Sequence, residues 1–548
     1  MTAPPFDRAA ALARLSDETF DVLIVGGGIT GVGVALDASS RGLRTALVER
    51  GDFASGTSSK SSKLIHGGLR YLQQREIALV YEALHERQRL RRIAPHLVRL
   101  LPFMIPILSK DGLMNPKIAR ALGSALWMYD LTGGWRIGKL HQRLTKEEAL
   151  AHMPTMPAER VASAYLYYDA RTDDARLVVT IARTAAAAGA VLTNGARVVG
   201  LLHDANGHVS GAEVEADGRR IDVRALVTVN ASGVWADEVR ALDEDRFPDS
   251  IRPAKGIHLT VPWAKVRNDI AVVIPVPKDR RSLFVVPAGD LTYIGTTDSD
   301  YDGPLDDPLC TADDVAYVLR AANASITPAL TERDVLGTWA GLRPLVKTAQ
   351  NARTADLSRR HTVTRSPGGM ITVTGGKLTT YRRMAVDTVD EVCRELDIHR
   401  RSKTSHLPLL GAVGFTEPDP ADQSLSAHLT RRYGSEARQI DALISDDPDL
   451  ALPVVPGLPY VKAEVVWAVR HEMARSVDDV LSRRTRARLL ARDNSAAAAT
   501  DVANLLAAEL GWTPAEAASD AARYRSSITH ERESAQLPET ALDAALGA

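Results

Sequence analysis

The alternation of apolar and polar positions near the N-terminus predicts a strand, a helix and a second strand. Residues 20–25 form a short apolar run, rich in β-branched side chains, that ends in glycines. An Ala/Val-rich segment follows at residues 32–40, and a second apolar run occupies residues 45–48. Short apolar runs bounded by glycine are typical of buried strands, and the longer segment between them favours a helix. This stretch therefore predicts a βαβ unit.

Later segments repeat both kinds of pattern. Residues 76–93 form a charged, helix-like segment that Pro95 terminates. The next regular elements are predicted as a helix at residues 175–188 and strands at 191–202, 209–216 and 221–229. Asn206-Gly207 and Asp217-Gly218 are typical hairpin turns. Residues 253–297 alternate short β-like runs with proline and glycine, which predicts a mostly antiparallel sheet that covers a ligand.

Length and composition narrow the class of protein. A chain of 548 residues exceeds what one core usually covers, so at least two domains are expected. With 45% apolar residues, 25% charged residues and a net charge of −1, the chain resembles neither a disordered nor a polytopic membrane protein, and nothing suggests nucleic acid. Cys310 and Cys393 are too few for a disulfide framework and too distant for a metal motif, so no metal site is predicted and a reducing cytoplasm is expected. Residues 1–19 contain no apolar signal-peptide core.

Residues 26–31, GGGITG, carry a dinucleotide fingerprint. Gly26 permits a tight turn, Gly28 lets the backbone approach a pyrophosphate, and Gly31 allows the helix to pack closely on the strand. Glu49 ends the second strand, 49 − 31 = 18 residues after the last glycine, where a carboxylate can accept from a ribose 2′-hydroxyl. That carboxylate disfavours NADP. The unit alone leaves FAD and NAD open.

A hydroxyl-rich segment follows the fingerprint at residues 56–62, GTSSKSS. Small hydroxyl side chains can pass beside a pyrophosphate and a ribityl chain while donating hydrogen bonds to both. The alternative interpretation is a flexible serine linker. The first interpretation favours FAD.

Residues 61–72, SSKLIHGGLRYL, together with residues 26–31, closely resemble the FAD-dependent glycerol-3-phosphate dehydrogenases, membrane-associated and quinone-reducing members of the amino-acid-oxidase-like flavoproteins. Further segments that resemble this family lie at residues 230–237 (NASGVWAD), 255–259 (KGIHL), 294–298 (IGTTD), 340–345 (AGLRPL), 374–382 (TGGKLTTYR), 472–481 (EMARSVDDVL) and 483–485 (RRT). The resemblance covers residues 20–525.

The resemblance and the patterns together predict an α/β plus α+β fold with three parts. These are a Rossmann-like FAD-binding domain, an antiparallel-sheet substrate domain and a helical C-terminal domain. The expected boundaries are 18–90 with about 165–245 and 350–398 for the FAD-binding domain, 91–164 and 246–349 for the substrate-binding cap region, 399–420 for a linker, and 421–530 for the C-terminal domain.

The resemblance implies oxidation of sn-glycerol 3-phosphate to dihydroxyacetone phosphate, with a hydride passing to flavin N5 and electrons continuing to a membrane quinone. It implies His258 as the general base and Arg343 as the cation that stabilises alkoxide charge. Implied substrate-binding residues are Arg70, Tyr71, Lys377 and Arg359, the last with a register uncertain by one because Arg360 follows it. Implied cofactor-binding residues are Gly26, Gly28, Gly31, Glu49, Thr57, Ser58, Ser59, Ser62, His66, Gly67, Gly68, Ser232, Gly233, Gly375, Gly376, Lys377, Leu378 and Thr379.

Two alternatives to this activity remain open at this point. A glycerol-3-phosphate oxidase would return the electrons to oxygen, and a catalytically silent flavoprotein would act as a sensor or structural subunit. The resemblance also implies peripheral association with the inner face of the cell membrane. Residues 87–92 (basic), 97–108 (apolar) and 110–127 could provide the membrane contact. A buried loop flanked by solvated charges explains the same pattern. No EF-hand is found in the C-terminal region, and a homodimer is left open.

Overall fold

A computed structural model shows two β-sheets and a helical C-terminal region. It describes residues 6–69, 76–108, 116–131, 139–244, 246–277, 279, 281–347 and 360–547, without the side chains of 116–121. The strands are β1 Thr19–Val25, β2 Thr45–Val48, β3 Leu64–Ile65, β4 Arg99–Leu108, β5 Gln142–Leu144, β6 Val161–Arg171, β7 Val191–Thr193, β8 Ala196–His203, β9 Val209–Ala216, β10 Arg219–Asn230, β11 Ile251–Pro262, β12 Ala271–Pro275, β13 Ser282–Ala288, β14 Leu291–Gly295, β15 Ser299–Asp300, β16 Gly337–Val346, β17 His361–Arg365 and β18 Ile371–Gly375.

Helices follow the strands along the chain and dominate its last quarter. They are α1 Arg8–Asp17, α2 Ile29–Ser40, α3 Ile77–Ile93, α4 Pro116–Leu131, α5 Lys146–His152, α6 Asp174–Ala187, α7 Ala236–Arg240, α8 Trp263–Val266, α9 Ala312–Asn323, α10 Tyr381–Glu395, α11 Leu425–Tyr433, α12 Ala437–Asp446, α13 Lys462–Glu472, α14 Ala487–Leu490, α15 Arg492–Ala497, α16 Ala499–Leu510, α17 Pro514–Ser534 and α18 Leu542–Leu546.

The first sheet contains the predicted βαβ unit. Its strands lie in the order β17-β18-β10-β1-β2-β7, and β9 pairs with both β10 and β8. Strand β1 runs parallel to β2 and to β10, with Val22 opposite Thr45 on one side and Val227 on the other. Helices α2, α6 and α10 cover one face of this sheet, and α1 with the meander of β8, β9 and β10 covers the other, which is why β1 and β2 are apolar on both faces. The predicted Rossmann-like domain is confirmed as the fold class.

One predicted strand of this region is wrong. Residues 191–202 form two strands, because Asn194 and Gly195 interrupt the run and Gly195 adopts a left-handed conformation, with φ of +58°. The turn lets β7 finish the parallel edge while β8 starts an antiparallel meander with β9 and β10. Asp217 and Gly218 both have positive φ, as the predicted two-residue hairpin turn requires.

The second sheet has ten strands and is antiparallel except where β4 pairs with β12. Strand β11 lies between β14 and β16 at residue His258, which is opposite Gly295 on one side and Trp339 on the other. The structure contradicts the hypothesis that the apolar run at residues 97–108 contacts the membrane. Its greater part is β4, whose side chains at Leu101, Phe103 and Met104 are buried, so this run does not lie on a membrane.

The helical region packs on the first sheet through buried ion pairs. Arg176 and Arg183 of α6 pair with Glu472 and Glu436 of the C-terminal helices. Residues 402–420 form no helix or strand, yet Leu409 is buried in the core beside α3 and Leu410 donates to the Thr184 hydroxyl, so the predicted linker is packed chain. Within the described residues, no helix is long and apolar enough to cross a bilayer.

Candidate functional site

A cavity of about 990 Å³ lies between the two sheets. The first sheet contributes the glycine-rich turn and the ends of β2, β10 and β18, and the second sheet contributes residues of β3, β4, β6, β11, β12, β13 and β16. Its volume is at the upper end of what small-molecule sites have, which suits a long ligand such as a dinucleotide with a substrate beside it. The two ends of the cavity differ in construction.

Backbone groups dominate the end at the fingerprint. Gly26 has φ of +111°, and a Cβ there would lie 2.7 Å from the Ala231 carbonyl oxygen. The Glu49 carboxylate accepts from the N–H of Gly27 at 2.6 Å and of Gly51 at 2.8 Å. Burial raises the pKa of Glu49, while these two donors act in the opposite direction. A fixed carboxylate beside a turn free of side chains fits the ribose of an adenine dinucleotide.

Gly31 supports this end without lining it. A Cβ on Gly31 would overlap the Gly26 carbonyl oxygen, so the missing side chain lets α2 approach the turn. Gly28 does line the cavity, at the N-terminus of α2. There the free N–H groups of a helix and its dipole favour a phosphate.

The hydroxyl-rich segment divides between the cavity and the protein interior. Thr57, Ser58 and Ser62 line the cavity; the Ser58 hydroxyl accepts from the Ile29 N–H at 2.9 Å, and the Thr57 hydroxyl donates to the Leu342 carbonyl at 2.5 Å. Ser59 lies behind the lining, where its carbonyl accepts from the Lys63 ammonium. The segment 57–59 is one turn of 3₁₀ helix, and such a turn cannot direct three successive side chains to one side.

Most of the remaining predicted cofactor residues also line the cavity. His66, Gly68, Ser232, Gly233, Gly375, Gly376, Lys377, Leu378 and Thr379 all line it. Gly375 and Gly376 have φ of +75° and +82° and carry the chain from β18 past the cavity without side chains. The Thr379 hydroxyl accepts from the His66 N–H at 3.1 Å, which ties the two segments together. Gly67 lies behind the lining, where its N–H donates to the Tyr129 hydroxyl and to Asp169.

His258 stands at the other end of the cavity in an apolar, aromatic setting. Its ring stacks on Trp339, with centroids 4.7 Å apart and planes 8° from parallel, and its Nε2 lies 2.9 Å from the Ser62 hydroxyl. Among the described residues its buried Nδ1 has no hydrogen-bond partner. Burial lowers the pKa of His258 well below its ordinary range, and the cations Lys63 and Arg343 lower it further. The imidazole is therefore neutral at physiological pH and able to accept a proton.

Arg343 extends from the same strand as Trp339, four residues later and hence on the same face. Its guanidinium donates to the Thr296 hydroxyl at 2.9 Å and the Thr297 carbonyl at 3.1 Å, and it pairs with Asp298 at 3.2 Å. A Cβ on Gly256 would overlap this guanidinium, so the glycine leaves room for it. The result is a cation fixed in orientation at the wall of the cavity.

Some predicted residues lie outside what the structure describes, and some site residues were not predicted. Arg70, Tyr71 and Arg359 are outside the described ranges, whereas Arg360 pairs with Glu76. Trp339, Thr296 and Asp298 were missed as site residues. Thr296 and Asp298 belong to a segment already matched to the family, so that match was the available signal, whereas the stacking of Trp339 depends on pairing between distant strands.

Comparison with known proteins places this architecture in a family. Residues 21–382 match the family model for FAD dependent oxidoreductases, and residues 402–517 match the C-terminal domain of alpha-glycerophosphate oxidase. The chain is 39% identical to glycerol-3-phosphate dehydrogenase 2 of Mycobacterium tuberculosis over 96% of its length and 91% of that protein. The chain belongs to the FAD-dependent glycerol-3-phosphate dehydrogenase family. The predicted family and the predicted cofactor, FAD, are thereby confirmed.

Other members of the FAD-dependent glycerol-3-phosphate dehydrogenase family support the match over nearly the whole chain. The mitochondrial glycerol-3-phosphate dehydrogenase of the mouse is 36% identical over 93% of this chain and 73% of its own length. The crystal structure of the glycerol-3-phosphate dehydrogenase from Bacillus halodurans, complexed with FAD, is 28% identical and superposes with a TM-score of 0.76 over 96% of this chain and 97% of that one. The glycine cradle, Glu49 and the cavity fit the cofactor of this family.

Proposed function

We propose that this protein oxidises sn-glycerol 3-phosphate to dihydroxyacetone phosphate and passes the electrons to a membrane quinone. The observation that carries the proposal is the placement of His258 and Arg343 at one end of a cavity whose other end is a dinucleotide cradle. When bound, FAD supplies the electron acceptor, a flavin that takes the C2 hydride at N5. Oxidation of a secondary alcohol also needs a proton acceptor and a cation beside the oxygen.

The side chains of the protein meet these two needs. His258 accepts the hydroxyl proton, and its low pKa ensures that it is neutral before it does so. The same low pKa makes the imidazole a weak base, so the alkoxide must be stabilised as the proton leaves. Arg343 provides that charge from a fixed position. Lys377 lines the cavity as a second cation and, with Arg70, Tyr71 and Arg359, would bind the phosphate dianion.

The apolar part of the cavity supports a quinone as the acceptor. Leu69, Phe103, Ile105, Leu108, Leu122 and Phe284 line this part. Leu122 belongs to α4, and the same helix exposes Trp127 (54%), Met128 (36%) and Leu131 (74%) on its outer side. Ile77 and Tyr81 of α3 are also exposed, and the buried faces of α3 and α4 share one hydrophobic cluster. We infer that this apolar surface rests on the membrane, at the inner face of the cell membrane, and that the quinone enters beside α4.

Anaerobic reduction tests the reaction. Glycerol 3-phosphate added to the purified holoenzyme without oxygen should bleach the visible absorbance of the flavin, and an unchanged spectrum would reject the reaction. Reoxidation then identifies the acceptor. A soluble quinone should restore the colour far faster than oxygen does; the opposite order would instead make the protein an oxidase, the activity for which the matched C-terminal domain is named.

Vesicle binding tests the membrane surface. Trp127→Ser with Leu131→Ser should lower binding to anionic vesicles while leaving anaerobic flavin reduction unchanged, because the apolar area available for insertion falls. Phe247→Ser is the matched control, since Phe247 is 60% exposed and lies in the segment between α7 and β11, outside α3 and α4. Equal losses in the two variants would remove α4 from the proposed membrane contact.

A further inference from the structure

A buried ion pair lies next to the proposed base and has no part in the mechanism above. The Lys63 ammonium is 2.8 Å from a carboxylate oxygen of Asp174, and the two side chains are 3% and 1% exposed. Asp174 is the first residue of α6 in the cofactor-binding part of the chain. Its Oδ1 accepts from Lys63 and from the Ala175 N–H at 3.0 Å, and its Oδ2 accepts from the N–H and hydroxyl of Ser61 at 3.1 and 2.7 Å. This carboxylate is fully engaged.

The pair holds a tight turn at residues 61–63. Lys63 has φ of +58°, a conformation that residues with a Cβ rarely adopt. Its N–H donates to the Ser61 hydroxyl at 2.9 Å, and its ammonium also donates to the Ser59 carbonyl at 2.8 Å. Asp174 binds both ends of the turn, Ser61 and Lys63, so the shape of the turn depends on the ion pair.

The turn at residues 61–63 contacts and positions three side chains of the second sheet. The Ser61 carbonyl accepts from Trp339 Nε1 and the Ser62 carbonyl from the Tyr293 hydroxyl, both at 3.2 Å. The Ser62 hydroxyl contacts His258 Nε2 at 2.9 Å. His258, Tyr293 and Trp339 stand on three adjacent strands, β11, β14 and β16. One turn thus sets the position of the imidazole relative to the cofactor-binding sheet.

We propose that Lys63 and Asp174 are positioning residues for His258, holding the imidazole through the turn at residues 61–63 and balancing charge beside it. The inference rests on the proposed function, in which His258 is the base. It deepens that proposal by assigning two residues, 111 positions apart, whose carboxylate and ammonium contact neither substrate nor reacting atoms.

Charge is the property that separates this role from simple packing. The Lys63 ammonium lies 5.2 Å from the centroid of the Trp339 ring on which His258 stacks. The charged and titratable groups around the imidazole and the ion pair are Lys63, Asp173, Asp174, Tyr293, Asp298, Arg343 and Arg486. Removing the Lys63 cation should raise the pKa of His258. Removing Asp174 takes away the anion that keeps the buried Lys63 ammonium charged, so Lys63 should lose its proton more readily and the pKa of His258 should rise as well. Lys63→Arg alters the packing but keeps the cation, so it should leave the pKa of His258 unchanged.

The test compares Lys63→Met, Asp174→Asn and the double variant, which leaves no buried charge unpaired. The acid limb of the pH profile of single-turnover flavin reduction by glycerol 3-phosphate should shift upward in Lys63→Met, in Asp174→Asn and in the double variant, whereas Lys63→Arg should leave it in place. Each single variant should also reduce the flavin about tenfold more slowly or worse, since a catalytic group displaced by about 1 Å can cost about 100-fold.

A second measurement needs no turnover. Diethyl pyrocarbonate acylates neutral imidazole, so the pH dependence of its reaction at His258 in the holoenzyme, followed by mass spectrometry, should shift upward in the same three variants and stay in place in Lys63→Arg. Arg183→Met with Glu436→Gln is the matched control, because this buried pair is remote from the cavity and should not change His258. If a single variant fails to fold, Lys63→Arg and the double variant provide the comparison, because the first keeps the cation beside His258 and the second removes it.

Two results would overturn the proposal: slower reduction with an unmoved acid limb, or acylation profiles that coincide in all variants. Failure of the proposed function looks different. In that case glycerol 3-phosphate does not bleach the wild-type flavin, while acylation of His258 still responds to the pair.

Discussion

The two ends of the cavity differ in the groups that form them: mainly backbone at one end and side chains at the other. At the cofactor end, backbone N–H groups and glycines without side chains form most of the dinucleotide cradle. They come from one continuous turn and helix. At the proposed substrate end, His258, Trp339 and Arg343 come from two strands of the second sheet, and a turn bound to Asp174 of α6 contacts His258 and Trp339. The first construction needs local geometry only. The second needs correct registration of two sheets.

This contrast leads to a general expectation about substitutions. Changes at the substrate end should alter the rate of flavin reduction and leave cofactor content intact, because the side chains there act after binding. Changes at the cofactor end should alter stability or FAD occupancy and leave the rate of the loaded enzyme unchanged.

The largest effect is expected at His258. His258→Ala and His258→Gln should slow single-turnover flavin reduction by about 100- to 10,000-fold, the usual contribution of a general base. Gln retains much of the ring volume and can contact Ser62, so a similar loss in both variants would separate proton transfer from packing. FAD content should remain that of the wild type. Unchanged rates would reject His258 as the base.

Arg343→Lys should give the next largest loss. Lysine keeps the charge but cannot reproduce the contacts of the guanidinium with Thr296, Thr297 and Asp298. We expect kcat and kcat/KM to fall together by about 100-fold, as when one donor to a developing oxyanion is lost. A rise in KM at constant kcat would instead assign Arg343 to substrate binding alone.

Paired glycine variants probe the cofactor end. Gly31→Ala places a methyl group against the Gly26 carbonyl and should destabilise the protein by about 1–3 kcal/mol through overpacking. Gly28→Ala should leave the apoprotein nearly as stable, since its nearest neighbour is the Ser58 hydroxyl at 3.1 Å, but should weaken FAD binding. Thermal unfolding of the apoprotein and FAD titration measure the two effects. Equal destabilisation by both would contradict the division of roles.

Glu49→Gln should have the smallest effect. The amide keeps one acceptor oxygen but replaces a charged acceptor of the Gly27 and Gly51 N–H groups by a neutral one. We expect FAD to bind about tenfold more weakly, which corresponds to about 1.4 kcal/mol. Flavin reduction in the saturated variant should match the wild type, and a slower rate would show that the two ends are coupled.

The sequence predicted the βαβ unit and the cofactor because the information for them is local. The fingerprint at residues 26–31 and Glu49 lie within one short segment, and the structure has the predicted βαβ unit there. His258 and Arg343 were identified only through family resemblance. The pairing of Lys63 with Asp174 and the stack of His258 on Trp339 were missed, because each joins residues far apart in the chain. Residues 97–108 show a further limit, since an apolar run suits a buried strand and a membrane surface equally.

The strand order of the first sheet has a consequence during synthesis. Strands β1 and β2 emerge from the ribosome early, but β18, which completes the parallel array beside β10, follows about 320 residues after β2. At translation rates of about 5–20 residues per second this interval lasts roughly 20–60 s. β1 presents an unpaired edge only until β10 emerges, about 170 residues after β2. The parallel array beside β10, and with it the cavity lining at Gly375 and Gly376, can form only after residue 376 has been synthesised.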